Sequence, residues 1–75
     1  MEDIVLIKWI DSKGVTSGWE FKYELEEQKP VVIKSVGFVR VKNKDYIEIY
    51  QNNSDGQICG RMTIPKKCIL NIRKL

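Results

Sequence analysis

The first hydrophobic run of the chain has a single charged position. Ile4 to Ile10 is interrupted only by Lys8. Successive side chains of a strand point to opposite faces, so Val5, Ile7 and Trp9 share one face and Ile4, Leu6 and Ile10 the other. Apolar residues on both faces predict a strand covered on both sides, or one lying at a subunit interface. Asp11-Ser12-Lys13-Gly14 reads as a turn, because Asp and Ser side chains bond nearby backbone groups. A second loop signal follows at Thr16-Ser17-Gly18. Residues 19–28 admit two readings. Trp19, Phe21, Tyr23 and Leu25 alternate with Glu20, Lys22, Glu24 and Glu26, as in a strand. Ser17 and Glu20 have the spacing of a capping box, and the helix formers after Leu25 stop before Pro30. The pattern predicts an extended start that passes into a short helical turn near residues 23–28.

Beyond Pro30 the pattern is plainer. Val31 to Lys42 is rich in Val and Ile and predicts a long strand, with Gly37 marking a bulge or bend. Lys34, Arg40 and Lys42 fall on one face of it. Asn43-Lys44-Asp45 predicts a hairpin turn, and Tyr46–Tyr50 alternates as a strand. Tyr46, Glu48 and Tyr50 then share a face, and both rings are expected to be exposed. Asn52 to Gly56 reads as a polar loop. Ile58 to Ile64 reads as a strand with Ile58, Met62 and Ile64 together. Pro65-Lys66-Lys67 reads as a tight turn, and Cys68 to Leu75 as a last strand with Cys68, Leu70 and Ile72 on one face. The sum is a mainly β chain of about five strands, a single domain over residues 1–75.

Size changes this picture. A chain of 75 residues and 8.8 kDa exposes roughly 4,800 Å² when compact and about 12,800 Å² unfolded. Domains this small usually lean on disulfides, a metal or oligomerisation. The sequence has no histidine and two cysteines, Cys59 and Cys68. His-based acid–base chemistry, His-ligated zinc, a Cys₄ site and a disulfide framework are therefore excluded. Both cysteines are expected to pack as small buried apolar groups. Oligomerisation is the support that remains.

Composition places the chain among globular proteins, with 43% hydrophobic and 31% charged residues. The longest unbroken apolar run has four residues, Ile4-Val5-Leu6-Ile7, too short to span a bilayer. The acidic start Met-Glu-Asp is unlike a signal peptide, so the expected location is the cytoplasm, with no membrane partner. The net charge of +3 is uneven: residues 1–28 carry −4 and residues 29–75 carry +7. A positive surface attracts phosphate.

Two resemblances follow from longer patterns. Ser35-Val36-Gly37-Phe38-Val39, Asp45-Tyr46-Ile47-Glu48-Ile49 and Ile64-Pro65-Lys66-Lys67-Cys68-Ile69-Leu70-Asn71-Ile72 resemble the strands of small SH3-like and Sm-like barrels. That resemblance implies a barrel in which a glycine bends one strand and a 3₁₀ turn joins the last two. Trp9-Ile10-Asp11-Ser12, Gly18-Trp19, Ser35-Val36-Gly37-Phe38, Gln57-Ile58-Cys59-Gly60 and Ile64-Pro65-Lys66-Lys67-Cys68-Ile69 are together similar to a group of small proteins encoded by phages and prophages. This second likeness implies a viral accessory protein acting in the host cytoplasm. Small proteins of that kind bind and block host components, and some are oligomers that sequester immune nucleotide signals.

The candidate site residues follow from chemistry. No Gly-rich phosphate loop and no Gly-x-Ser-x-Gly occurs, and Asp11 beside Ser12 lacks a base, so no enzyme and no cofactor is expected. Trp9 and Trp19 flank the Asp11–Gly14 turn. They are either core or a stacking wall for a base. Arg61 suits phosphate, because its planar fork meets two oxygens at once, and Lys66 lies nearby in sequence. Gly60 permits a close backbone approach. The expected ligand-binding set is Trp9, Asp11, Ser12, Trp19, Arg61 and Lys66. The expected function is a homo-oligomeric, non-catalytic sponge for a phosphorylated nucleotide. Two alternatives stay open: a protein-interaction module that inhibits a host protein, and an Sm-like module for nucleic acid.

Overall fold

A computed structural model describes residues 3–75; Met1 and Glu2, part of the acidic start noted above, lie outside the described residues. The strands are β1 (Ile4–Asp11), β2 (Val31–Lys42), β3 (Tyr46–Tyr50), β4 (Asn52–Ser54), β5 (Gln57–Cys59), β6 (Met62–Pro65) and β7 (Ile69–Lys74). Two 3₁₀ turns, Lys22–Glu24 and Lys66–Cys68, complete the described elements. Five strands form one antiparallel sheet in the order β6-β3-β2-β1-β7, and β4 and β5 form a separate two-stranded hairpin.

The expected barrel is corrected to an open sheet. The edge strands β6 and β7 follow one another in sequence, joined by the second 3₁₀ turn, yet no ladder pairs them. Strand length accounts for this. Residues expected to prolong β6 are drawn into the β4–β5 hairpin, which leaves a four-residue edge that pairs only with β3. The break falls at Gly60, whose φ of +80° lies in the left-handed region. Its conformation is the reason for glycine there, since a Cβ would meet nothing closer than 3.5 Å. The single strand expected from Ile58 to Ile64 is therefore two strands in different sheets. The polar loop expected at Asn52–Gly56 is β4 and its turn.

The core lies on one face of the sheet. Val5 and Ile7 from β1, Ile47 and Ile49 from β3 and Ile64 from β6 are buried together, with Trp9, Val39, Ile69 and Ile72 packed against them. Val5, Ile7 and Trp9 thus share the inner face, as the alternation implied, while Ile4 and Ile10 stay exposed on the outer one. Gly37 on β2 serves close approach: a Cβ there would stand 2.9 Å from the Tyr50 carbonyl oxygen and 3.1 Å from Ile49 Cβ.

Two register shifts redirect side chains that simple alternation placed wrongly. The β1–β7 ladder slips between Lys8 and Trp9, pairing Lys8 with Asn71 and Trp9 with Ile69. Leu70 is left over and exposed, while Ile69 and Ile72 face the core. The grouping of Cys68, Leu70 and Ile72 does not hold. The β2–β3 ladder slips between Val39 and Val41, leaving Arg40 as the extra residue. Lys42 then pairs with Ile47 and lines a cavity on the core side, so it leaves the outer face that Lys34 occupies. Such insertions are the ordinary structure of β-bulges.

Three further expectations are corrected. Tyr50 is 2% exposed, because it stacks on Phe38 across the ladder with ring centroids 5.3 Å apart. Cys59 is exposed on β5, where the hairpin has no sheet to cover it; Cys68 is half-buried, and both are free thiols. The capping box does not form. Thr16 Oγ1 donates to Glu20 Oε1 at 2.6 Å, and the 3₁₀ turn at Lys22–Glu24 starts without a side-chain cap. The Asn43 turn is as read: its Oδ1 accepts the backbone N–H of Asp45 and of Tyr46, each at 2.9 Å.

Between β1 and β2 the chain leaves the sheet. The ladder is paired as far as Asp11 opposite Val31, and residues 12–30 form an arm with no strand of its own. Phe21 and Tyr23 stack on each other with centroids 5.5 Å apart. Gln28 Nε2 donates to the Gly14 carbonyl at 2.8 Å, tying the two sides of the arm together. The principal extents are 54 × 23 × 20 Å and the radius of gyration is 16.4 Å. A compact chain of this length has a radius of gyration of about 11 Å.

Candidate functional site

The six expected site residues occupy different parts of the fold. Trp9 is a core residue: it packs against the buried cluster, and its indole N–H donates to Ser35 Oγ at 3.1 Å. Ser35 in turn donates to Met62 Sδ at 3.7 Å. Burying a tryptophan is favourable when its N–H finds an acceptor, and here it does. Asp11 and Ser12 form the root of the arm, where Asp11 Oδ1 accepts the Ser12 N–H at 2.9 Å. Trp19 stands on the arm, 104% exposed. The two tryptophans therefore do not form one stacking wall.

Arg61 lies between β5 and β6 and is already engaged. Its Nη1 is 3.6 Å from Glu48 Oε1, while Arg40 Nη1 is 2.8 Å from Glu48 Oε2. One carboxylate serves two guanidinium groups, so the trio keeps a net charge of +1. Lys66 opens the second 3₁₀ turn, and its backbone N–H donates to the Asp45 carbonyl at 2.9 Å. That contact fastens the turn to the β2–β3 hairpin.

The outer face holds a cluster that sequence reasoning did not assemble. Antiparallel pairing sets Lys8 directly opposite Lys34 on one side and Asn71 on the other, and sets Leu6 opposite Arg73. Leu6, Lys8, Lys34, Asn71 and Arg73 line one surface groove. Directly opposed residues in such a ladder have Cα atoms about 4.5–5.5 Å apart. Like charges at that separation are destabilising. None of Lys8, Lys34 and Arg73 has an acidic partner among the described residues. The signal was available in part: Lys8 is the lone charge in the first apolar run. Its partners came from registers that only the structure defines.

The opposite face has a second concavity. A cavity of about 280 Å³ opens beside the core, walled by Val5, Val39, Ile47 and Ile72 together with Lys42 and Lys74. Lys74 Nζ is 3.1 Å from Asp3 Oδ1, while Lys42 has no acidic partner among the described residues.

No group of three or more carboxylates or thiols stands together as a metal cage among the described residues. No helix among them is long and apolar enough to cross a membrane. Comparison with protein families, curated proteins and solved structures finds no match for this chain.

Proposed function

We propose that this is a non-enzymatic binding protein that captures a small phosphorylated nucleotide, in keeping with the viral accessory role its motifs imply. The observation that carries the reading is the Lys8–Lys34 pair with Arg73 beside it on an open sheet face. Two like charges held across a ladder cost stability. A phosphate placed between them would turn that repulsion into attraction, and the Arg73 guanidinium can hold two of its oxygens. Leu6 offers an apolar surface for a base, and the Asn71 amide can donate to and accept from its edge. Nothing in this arrangement activates a nucleophile or moves a proton, so the ligand would be held and released unchanged. The arrangement suits sequestration of a host immune nucleotide signal, with the site on the groove in place of Arg61 and Lys66.

The test is calorimetric titration of the full chain with cyclic mono- and dinucleotides at low ionic strength. Binding is expected, and Lys34→Glu should abolish it without unfolding the sheet. Absence of heat with every nucleotide would sink the reading. Binding of single-stranded RNA alone, with steep salt dependence, would replace it with a nucleic-acid module.

A further inference from the structure

The arm carries five exposed apolar side chains. Val15, Trp19, Phe21, Tyr23 and Leu25 are all exposed, and Trp19 and Val15 fully so. The total accessible surface is 6489 Å². This exceeds by about 1,700 Å² the roughly 4,800 Å² of a compact chain of this mass. A standard interface removes about 800 Å² from each partner. The chain thus carries surplus surface on the scale of a stable association.

Two further features identify the partner. Phe21 and Tyr23 are stacked on each other, whereas Trp19 has no ring partner among the described residues. The cavity beside the core presents the half-buried Val39 and Ile72 over the buried Val5 and Ile47. Charge also matches. Residues 19–28 carry Glu20, Glu24, Glu26 and Glu27 against Lys22 alone, a net −3, and the cavity is edged by the Lys74–Asp3 ion pair and by Lys42, which lacks an acidic partner among the described residues, so the edge is net positive. Opposite potentials of this kind fix register and exclude wrong partners.

We infer that the arm of one chain docks on a second copy of the same chain, with Trp19 seated on Val39 and Ile72 at the mouth of the cavity and the arm's glutamates facing Lys42. The exchange is reciprocal, each copy giving an arm and receiving one, which closes the assembly as a two-fold dimer. It is independent of the nucleotide groove, because the cavity and the groove lie on opposite faces of β1.

Analytical ultracentrifugation of the full chain across a concentration series tests this, with tryptophan emission followed in the same samples. The wild type should assemble, with a blue shift as Trp19 leaves water. Trp19→Ser should weaken assembly by more than about tenfold, as expected for an aromatic anchor. Lys42→Glu should weaken it too, and adding Glu20→Lys to Lys42→Glu should recover part of the loss. All three positions are exposed, so the variants keep the wild-type circular dichroism spectrum. A wild type that stays monomeric, or a Trp19→Ser or Lys42→Glu variant that assembles as the wild type does, overturns the inference. Nucleotide titration of the same samples reports on the groove separately.

Discussion

The sheet and the arm are built from similar residues and treat them in opposite ways. In the sheet, apolar side chains two apart on β1 and β3 meet across ladders, and Ile7 and Ile47 lose all contact with water. In the arm, Trp19, Phe21, Tyr23 and Leu25 have the same alternation and stay in solvent. The difference is the number of neighbours that each ladder supplies. β1 lies between β2 and β7, and its inner-face side chains pack with Ile47 and Ile49 of β3 and Ile64 of β6. The arm has no ladder among the described residues, and its apolar side chains stay exposed even where Phe21 stacks on Tyr23. Alternation alone therefore specifies a surface suited to burial; topology decides which surfaces are buried within the chain.

The comparison can be broken most severely inside the sheet. Ile47→Ala removes a fully buried side chain from the centre of the cluster, and large-to-small core changes of this kind cost about 2–5 kcal/mol. For so small a chain that is much of its stability, and urea denaturation should show the midpoint fall sharply. Gly37→Ala should come next. Its new Cβ would press on backbone at the Tyr50 carbonyl, an overpacking that costs about 1–3 kcal/mol. The sign reverses on the outer face. Lys8→Glu replaces a like-charge pair with an opposite one, so stability should rise by about 0.2–1 kcal/mol, read as a higher urea midpoint. The same change should weaken nucleotide binding, which separates stability from function in a single variant. Trp19→Ser should have the smallest effect on the monomer, within about 0.5 kcal/mol in dilute urea melts. A large loss there would mean that the arm packs on its own sheet.

Much of the fold was legible in the sequence because most of the sheet obeys simple alternation. The inner face of β1, the Asn43 turn and the strand Tyr46–Tyr50 follow from a period of two and from side-chain turn chemistry. What was not legible begins at the bulges. One extra residue at Arg40 turns Lys42 toward the core side, and one at Leu70 brings Ile69 and Ile72 inward. A bulge resets every face assignment beyond it, and the residues around it carry no special composition. Gly60 was read as a point of close approach, whereas its positive φ ends one sheet and begins another. The six candidate residues were chosen by type, and the turn expected at Asp11–Gly14 is absent: Asp11 ends β1 opposite Val31, and its Oδ1 accepts only the N–H of Ser12. The groove was missed because Lys8, Lys34 and Arg73 lie on three strands, joined only by register.

The way the arm is rooted has a consequence for how the protein tolerates change. β1 and β2 are zipped right up to Asp11 and Val31, so both ends of the arm emerge from one closed ladder. A cut anywhere between them would leave two fragments still held by the ladder and the core. Insertions, deletions and substitutions in residues 12–30 likewise leave the core contacts untouched. Changes in the arm therefore fall on assembly and leave the sheet beneath it folded.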